Sequence, residues 1–365
     1  METKAMPNQK QGLSHETMEG FIGYKHTENT DWMFGRKRQI FNPQYTPAIM
    51  DVAIIGAGTI GRRLSRSFRA CEQTEVTHVV DIDEHKAREL ADELGAKYST
   101  DYTKIMDNVD IVYVGVPPAY HAQITIDALK SGRHVICEKP IAATTEDGLR
   151  MVKAAESSKS VTAINLPFRF SPALEYMKET LDTGTLGQLK YGELRFRFPK
   201  WPRKWQNVEW LKYREQGGPL REVGTHYFFA LFELFSNVKR VMAFTDFGKD
   251  NACETQSLGI IETDQGLVTL NLITGGMEDE ENTLYLYFDQ GVLKFAKWYH
   301  LSLQPKNETL VEDRVNAELE MVKTFVKAVK GDRKAEEKLV SFRDALDAQK
   351  VLDAVYRSNG QWIDL

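Results

Sequence analysis

A chain of 365 residues has room for two or three domains, each with a sizeable core. Its composition, 42% apolar and 27% charged, is that of a globular protein rather than a disordered one. A net charge of -5 with no lysine or arginine stripe argues against a nucleic-acid-binding role. No apolar run approaches the ~18 residues of a membrane span, and the N-terminus lacks the apolar centre of a secretory signal. Cys71, Cys137 and Cys253 lie far apart with no metal-binding spacing, which suits a reducing compartment. A cytoplasmic protein without membrane, nucleic-acid or metal partners is expected.

Residues 1–49 begin polar and irregular and then carry Phe21, Tyr24, Trp32, Phe34, Phe41 and Tyr45. Disordered tails are poor in aromatics, so this stretch reads as an arm that docks on something or, ahead of that, as a partly ordered extension without catalytic consequence. From Asp51 the texture changes. DVAIIGAG is an apolar strand breaking into glycines, and IGRRLSRSFRA continues with helical spacing. VTHVVDID and the helical EHKARELADELG follow, then NVDIVYVGVPP, AQITIDALKSG and HVICEKP. Strands of near-continuous Val and Ile alternating with amphipathic helices predict βαβ units and a parallel sheet buried on both faces. TTEDGLRMVKAAESS and SVTAINLP extend the pattern to about residue 167.

Beyond it GELRFRF, KRVMAFTDF, ETQSLGIIET, GLVTLNLIT, NTLYLYF and GVLKFAKWY alternate apolar and polar residues between short turns. They predict a large antiparallel sheet with one face buried. ELEMVKTFVKAVKG and FRDALDAQKVLDAVYRSNG close the chain as helices. The expected organisation is an arm over 1–49, an α/β domain over 50–167 and an α+β domain over 168–365.

Gly56-Ala57-Gly58-Thr59-Ile60-Gly61 lies between the first strand and its helix. Such a loop needs glycine for its tight turn, for approach to a pyrophosphate and for helix–strand packing. The helix start then offers free N–H groups to the phosphates. Asp81 ends the second strand 20 residues after Gly61, the position and chemistry of an acid that binds an adenosine ribose diol. A 2′-phosphate would be repelled there, so NAD is favoured over NADP; Asp83 ranks second for the same role.

These pieces, with VGVPPAYHA, HVICEKPIA, NLPFRFSPA and GGPLREVGTHYF, make residues 51–365 resemble the Gfo/Idh/MocA oxidoreductases, which include glucose–fructose oxidoreductase and inositol dehydrogenases. The resemblance implies a Rossmann domain followed by an open, mostly antiparallel sheet, with the nicotinamide at their junction. It also implies a homodimer or homotetramer formed through that sheet. The implied activity is hydride transfer between NAD(H) and a CH–OH or C=O group of a sugar, polyol or related small molecule. Two other readings stay open: a non-catalytic NAD-binding regulatory protein, and a reductase of an imine or conjugated non-sugar compound, for which Phe228-Phe229 and the tryptophans leave room.

Lys139 follows a parallel strand at its carboxyl end, where open α/β sheets bind ligands, and is the first candidate to hold the reacting oxygen beside the cofactor. Glu138 is expected to orient or charge-balance it, and Pro140 to restrict the backbone, with a cis Lys139-Pro140 bond allowed. In the resemblance His226 is the acid–base or substrate-contacting histidine. Glu222, four residues earlier, stands where relatives carry aspartate, and Phe229 replaces a second acid. The Glu222 and His226 pair has no third metal ligand nearby. Pro117 and His121 are implied near the nicotinamide and ribose, although a plain surface histidine fits His121 as well. Asn165 and Arg169 match positions near substrate, though Arg169 also reads as the partner of an acid. FPKWPRKWQNVEW, with Trp201, Trp205 and Trp210 among Lys200, Arg203 and Lys204, reads as a substrate-side loop or a subunit contact.

Overall fold

The structure, a computed structural model, describes residues 49–365 apart from 207 and 313–315. The expected arm, except Ile49, lies outside the described residues.

Six parallel strands form the first sheet: β1 (Met50–Ile55), β2 (Thr74–Val80), β3 (Lys97–Ser99), β4 (Ile111–Val114), β5 (His134–Glu138) and β6 (Thr162–Asn165), in the order β3-β2-β1-β4-β5-β6. Their connections carry helices α1 (Thr59–Ala70), α2 (Glu84–Leu94), α3 (His121–Lys130) and α4 (Thr145–Glu156). The strands are apolar throughout because both faces are covered: every residue of Ile111–Val114 is buried. In α1, Gly61, Leu64, Ser65 and Phe68 recur at helical spacing and form its buried side.

The second sheet has nine strands. After α5 (Pro172–Thr183) come β7 (Leu189–Phe198), α6 (Thr225–Leu234), β8 (Val238–Phe247), β9 (Glu254–Thr263), β10 (Leu267–Thr274), β11 (Glu281–Phe288), β12 (Val292–Ala296), β13 (His300–Gln304) and β14 (Glu308–Glu312). Helices α7 (Ala317–Val329), α8 (Arg333–Glu337) and α9 (Phe342–Arg357) lead to the edge strand β15 (Ile363–Asp364). The spatial order is β14-β13-β12-β11-β7-β10-β9-β8-β15, antiparallel except where β10 runs parallel to β7. Alternation along β7 buries Gly192, Leu194, Phe196 and Phe198 and turns Glu193, Arg195 and Arg197 outward. Each buried leucine or phenylalanine there contributes about 1.5–3 kcal/mol. Six of these strands are legible as alternating segments; β13, β14 and β15 are not. The reading of GVLKFAKWY as one strand is corrected, since the strand ends at Ala296 and Lys297-Trp298-Tyr299 form a turn.

One core fills the space between the parallel sheet, α6, α9 and the inner face of the nine-stranded sheet. A second lies on the opposite side of the parallel sheet, where Met321, Val322 and Phe325 of α7 pack with Leu64 and Phe68 of α1. Beyond α8, Val340 accepts a hydrogen bond from Ile164 N of β6 at 2.9 Å. The closing helices therefore interlock with the first sheet. No helix among the described residues is long and apolar enough to cross a membrane.

Candidate active site

The glycine turn is fixed by contacts that leave no alternative to glycine at two positions. Gly56 has φ +105, and a Cβ there would fall 2.3 Å from the Gly115 carbonyl oxygen. A Cβ on Gly61 would fall 1.8 Å from the Gly56 oxygen, so α1 lies directly against the turn. Gly58 is different, for a Cβ there meets nothing within 4 Å. It caps α1 without a side-chain hydrogen bond, so the amides that open the helix, Thr59 N and Ile60 N, have no cap to satisfy them. A dinucleotide pyrophosphate fits this arrangement. Asp81 follows β2 and accepts Ala57 N (2.8 Å) and Asp83 N (2.9 Å). Each carboxylate oxygen keeps a lone pair for a ribose hydroxyl. Asp83, the second candidate, is instead the N-cap of α2, accepting from His85 N and Lys86 N, and these bonds hold its pKa below the ordinary value.

Lys139, just past β5, donates from Nζ to the Glu222 carbonyl oxygen (2.8 Å) and to Glu222 Oε2 (2.7 Å). The Lys139-Pro140 bond is cis. Glu222 comes from a wide helical turn, Leu220–Gly224, that runs into α6 and carries His226 one turn further on. Gln206 Nε2 also reaches Glu222 Oε1 at 3.4 Å. The expectation that Glu138 balances Lys139 is corrected, because neighbouring residues at a strand end point to opposite sides. Glu138 is buried and accepts from Tyr113 Oη and from Asn165 Nδ2, both at 2.6 Å, through Oε1. Asn165 is its cross-strand partner on β6, and Asn165 Oδ1 is buried without a hydrogen bond.

His226 is 8% exposed between Phe168 (ring centroids 5.4 Å) and Trp298 (5.3 Å, 85°). Its Nδ1 is buried without a partner. Burial pushes the imidazole well below its ordinary value, and the positive charges of Lys139, Arg63 and Arg203 push it further the same way. The ring is therefore neutral near neutral pH.

Other expected site residues are placed differently. Pro117 does lie in the turn after β4, at φ -59. His121 is fully buried, neither at a pocket edge nor on the surface. Its Nε2 lies 2.8 Å from Val116 O and its Nδ1 3.0 Å from Pro140 O, so it ties the turn after β4 to the turn after β5. Burial lowers its pKa against the pull of those carbonyls. Arg169 is claimed by acids, Glu233 at 2.8 Å and Asp344 at 3.6 Å, and lies over Phe229. Phe228 and Phe229 are wholly buried and leave no room for a conjugated substrate between them. In the tryptophan-rich stretch, Trp201 Nε1 donates to Leu211 O (2.9 Å) and Arg203 is paired with Glu280 (2.8 Å); Trp205 is 62% exposed. The residue of this stretch that touches the Lys139–Glu222 pair is Gln206, which only its neighbourhood to the tryptophans signals. Trp298, hidden in a segment with strand-like alternation, gave no signal. Among the described residues no group of three or more His, Cys, Asp or Glu could hold a metal.

The fold and the glycine turn at its strand ends are those of a dinucleotide-binding Rossmann domain. Residues 50–166 match the family model for oxidoreductases with an NAD-binding Rossmann fold, and residues 174–294 match the GFO/IDH/MocA C-terminal domain. The chain belongs to the Gfo/Idh/MocA oxidoreductase family. It is 30% identical to D-glucoside 3-dehydrogenase of Escherichia coli over 57% of this chain and 61% of that one. It is also 30% identical to dTDP-3,4-didehydro-2,6-dideoxy-alpha-D-glucose 3-reductase of Streptomyces violaceoruber, over 50% of this chain and 53% of that one. The matches thus span little more than half the length of these relatives. The solved WlbA dehydrogenase of Bordetella pertussis, in complex with NADH and UDP-GlcNAcA, superposes with TM-score 0.75 at 19% identity, over 87% of this chain and 99% of that one.

Proposed function

We propose that this protein transfers a hydride between NAD(H) and a CH–OH or C=O carbon of a sugar, polyol or related small molecule. The observation that carries the reading is Lys139, set at the carboxyl edge of the parallel sheet against Glu222, with a neutral His226 one helical turn beyond. Held by its pyrophosphate at the glycine turn, the cofactor would supply the hydride acceptor or donor. An ammonium has three donors, and Glu222 takes two of those on Lys139. The third is free to hold the substrate oxygen. In the oxidation direction the unprotonated His226 is the group suited to take the hydroxyl proton, and in reduction it returns it. Lys139 thus holds the oxygen and His226 moves the proton. The partly sealed surroundings strengthen both interactions. Asp81 supports NAD over NADP, since its carboxylate at the end of β2 would repel a 2′-phosphate.

Sugar chemistry is favoured by the names of the relatives, which act on a glucoside and a deoxysugar nucleotide. We further propose that copies associate through the outer face of the nine-stranded sheet, where Phe244 (63%) and Leu258 (55%) stand exposed, and that the protein is cytoplasmic. The test of the activity is Lys139→Met. Turnover of any substrate that reduces NAD should fall about 10²–10⁴-fold while NADH affinity stays within error. Unchanged turnover would remove Lys139 from the mechanism.

A further inference from the structure

Ala296 pairs with His300 across the β12–β13 hairpin, leaving Lys297, Trp298 and Tyr299 as the turn. Lys297 has φ 50 and Trp298 φ 71, two consecutive left-handed residues where glycine or asparagine is the unstrained choice. A bulky aromatic is held so only when its surroundings impose it, and such positions gather at ligand clamps. The surroundings here are the site itself. The Trp298 ring lies 5.3 Å from His226 at 85° and 6.1 Å from Phe168 at 64°, while Tyr299 lies 5.8 Å from Phe168. The indole is only half-buried. The hairpin therefore sets an aromatic side chain against the flank of the proton-transferring histidine. No other tryptophan is in ring contact with His226: Trp201 is locked beneath its own loop by its bond to Leu211 and its packing on Phe198.

We propose that Trp298 is the stacking wall of the substrate site, on which the apolar C–H face of a cyclic sugar or cyclitol lies while its carbinol turns to Lys139 and His226. The proposal rests on the hydride-transfer reading and narrows its substrate class. A pyranose or cyclitol presents a continuous C–H face that matches an indole, and a linear polyol presents none of comparable extent. The strained turn fixes the wall's angle before substrate arrives, which reduces the ordering that binding must impose.

The full-length protein with NADH is titrated with myo-inositol, methyl β-D-glucoside and linear sorbitol, with binding read by saturation-transfer NMR. Turnover with NAD is read in parallel from nicotinamide absorbance. In Trp298→Leu, affinity and KM for the cyclic probe that binds best should weaken about tenfold, with NADH affinity and melting temperature retained. Trp298→Phe should recover most of the loss, and sorbitol should be indifferent to both changes. An unchanged cyclic affinity in Trp298→Leu, an equal loss for sorbitol, or no cyclic probe bound by the wild type each overturns the proposal. If a cyclic probe binds in a Trp298-dependent way but no nicotinamide is reduced, the wall stands and the hydride-transfer reading falls.

Discussion

The two sheets deliver their chemistry to the same place by different means. In the six-stranded sheet the delivery is topological: Gly56, Asp81, Pro117, Lys139 and Asn165 all sit at or just past the carboxyl ends of parallel strands. In the nine-stranded sheet the strands contribute almost nothing directly. Their part is to hold what lies between them, as β9 holds the Leu220–Gly224 turn through Glu254 and the β12–β13 hairpin holds Trp298. A parallel α/β sheet makes a site wherever its edge is; a mixed sheet must be packed into one. At the site the two meet in the Lys139–Glu222 pair.

Breaking that join should have the largest effect. Glu222→Ala leaves Lys139 without its carboxylate in a place where its side chain is only 11% exposed. Truncating one partner of such a buried pair costs about 3–5 kcal/mol at full burial. The fold should lose less than that figure because water still reaches the pair, and turnover should fall about 10²-fold because the Lys139 ammonium loses the partner that fixes its position. Glu222→Gln, which keeps an acceptor, should recover part of it. Equal activity in wild type and Glu222→Ala would mean that the two sheets act independently.

The second test loosens the packed side alone. Glu254, on β9, is buried and accepts Leu220 N at 2.7 Å, and Gly218 passes so close that a Cβ would fall 2.3 Å from its Oε2. Burial raises its pKa to about 7, against the opposing pull of the Leu220 N–H and the Arg221 guanidinium; Tyr356 and Cys253 also border it. The folded state therefore holds a proton that the unfolded chain, with the ordinary value of 4.5, has released. Between those two values stability falls as pH rises, by about 3 kcal/mol in all. In Glu254→Gln that component should vanish, seen as a flatter dependence of denaturant midpoint on pH. An identical slope in both proteins would show that Glu254 does not titrate there.

On the topological side, Gly61→Ala and Gly58→Ala separate folding from binding. The Gly61 Cβ meets backbone, so melting temperature should drop with a cost of about 1–3 kcal/mol. The Gly58 Cβ meets only open space, so stability should be kept or slightly raised while NADH affinity falls about tenfold. Equal NADH affinity in Gly58→Ala would move the pyrophosphate elsewhere.

The same contrast explains what could be read in advance. The parallel sheet and the strand-end positions of Asp81 and Lys139 are legible because a strand end is set by local pattern: an apolar run, a glycine turn, a helix. The side-chain partners were not. Glu138 turns to Tyr113 and Asn165 on neighbouring strands, and Arg169 meets Asp344 from a helix that closes the chain, relations no local window contains. Trp298 was masked by its own hairpin, whose alternation continues to Ala296 and then stops without a glycine to mark the turn.

The smallest effect expected is also the most direct report on the join. Burial is the main reason the His226 imidazole stays neutral, and the charge of Lys139 across the site comes next, ahead of Arg63 and Arg203. Removing that charge in Lys139→Met should raise the His226 pKa, but not to the ordinary value, because burial in the Phe168 and Trp298 cage remains. Imidazole C–H shifts followed by NMR across the acid range give the comparison without substrate. Lys86→Met, on exposed α2, serves as the control that should leave His226 unmoved. A downward or absent shift in Lys139→Met would mean that the strand-end lysine and the helix-borne histidine do not sense one another. The division of labour between oxygen holder and proton carrier would then have no electrostatic basis.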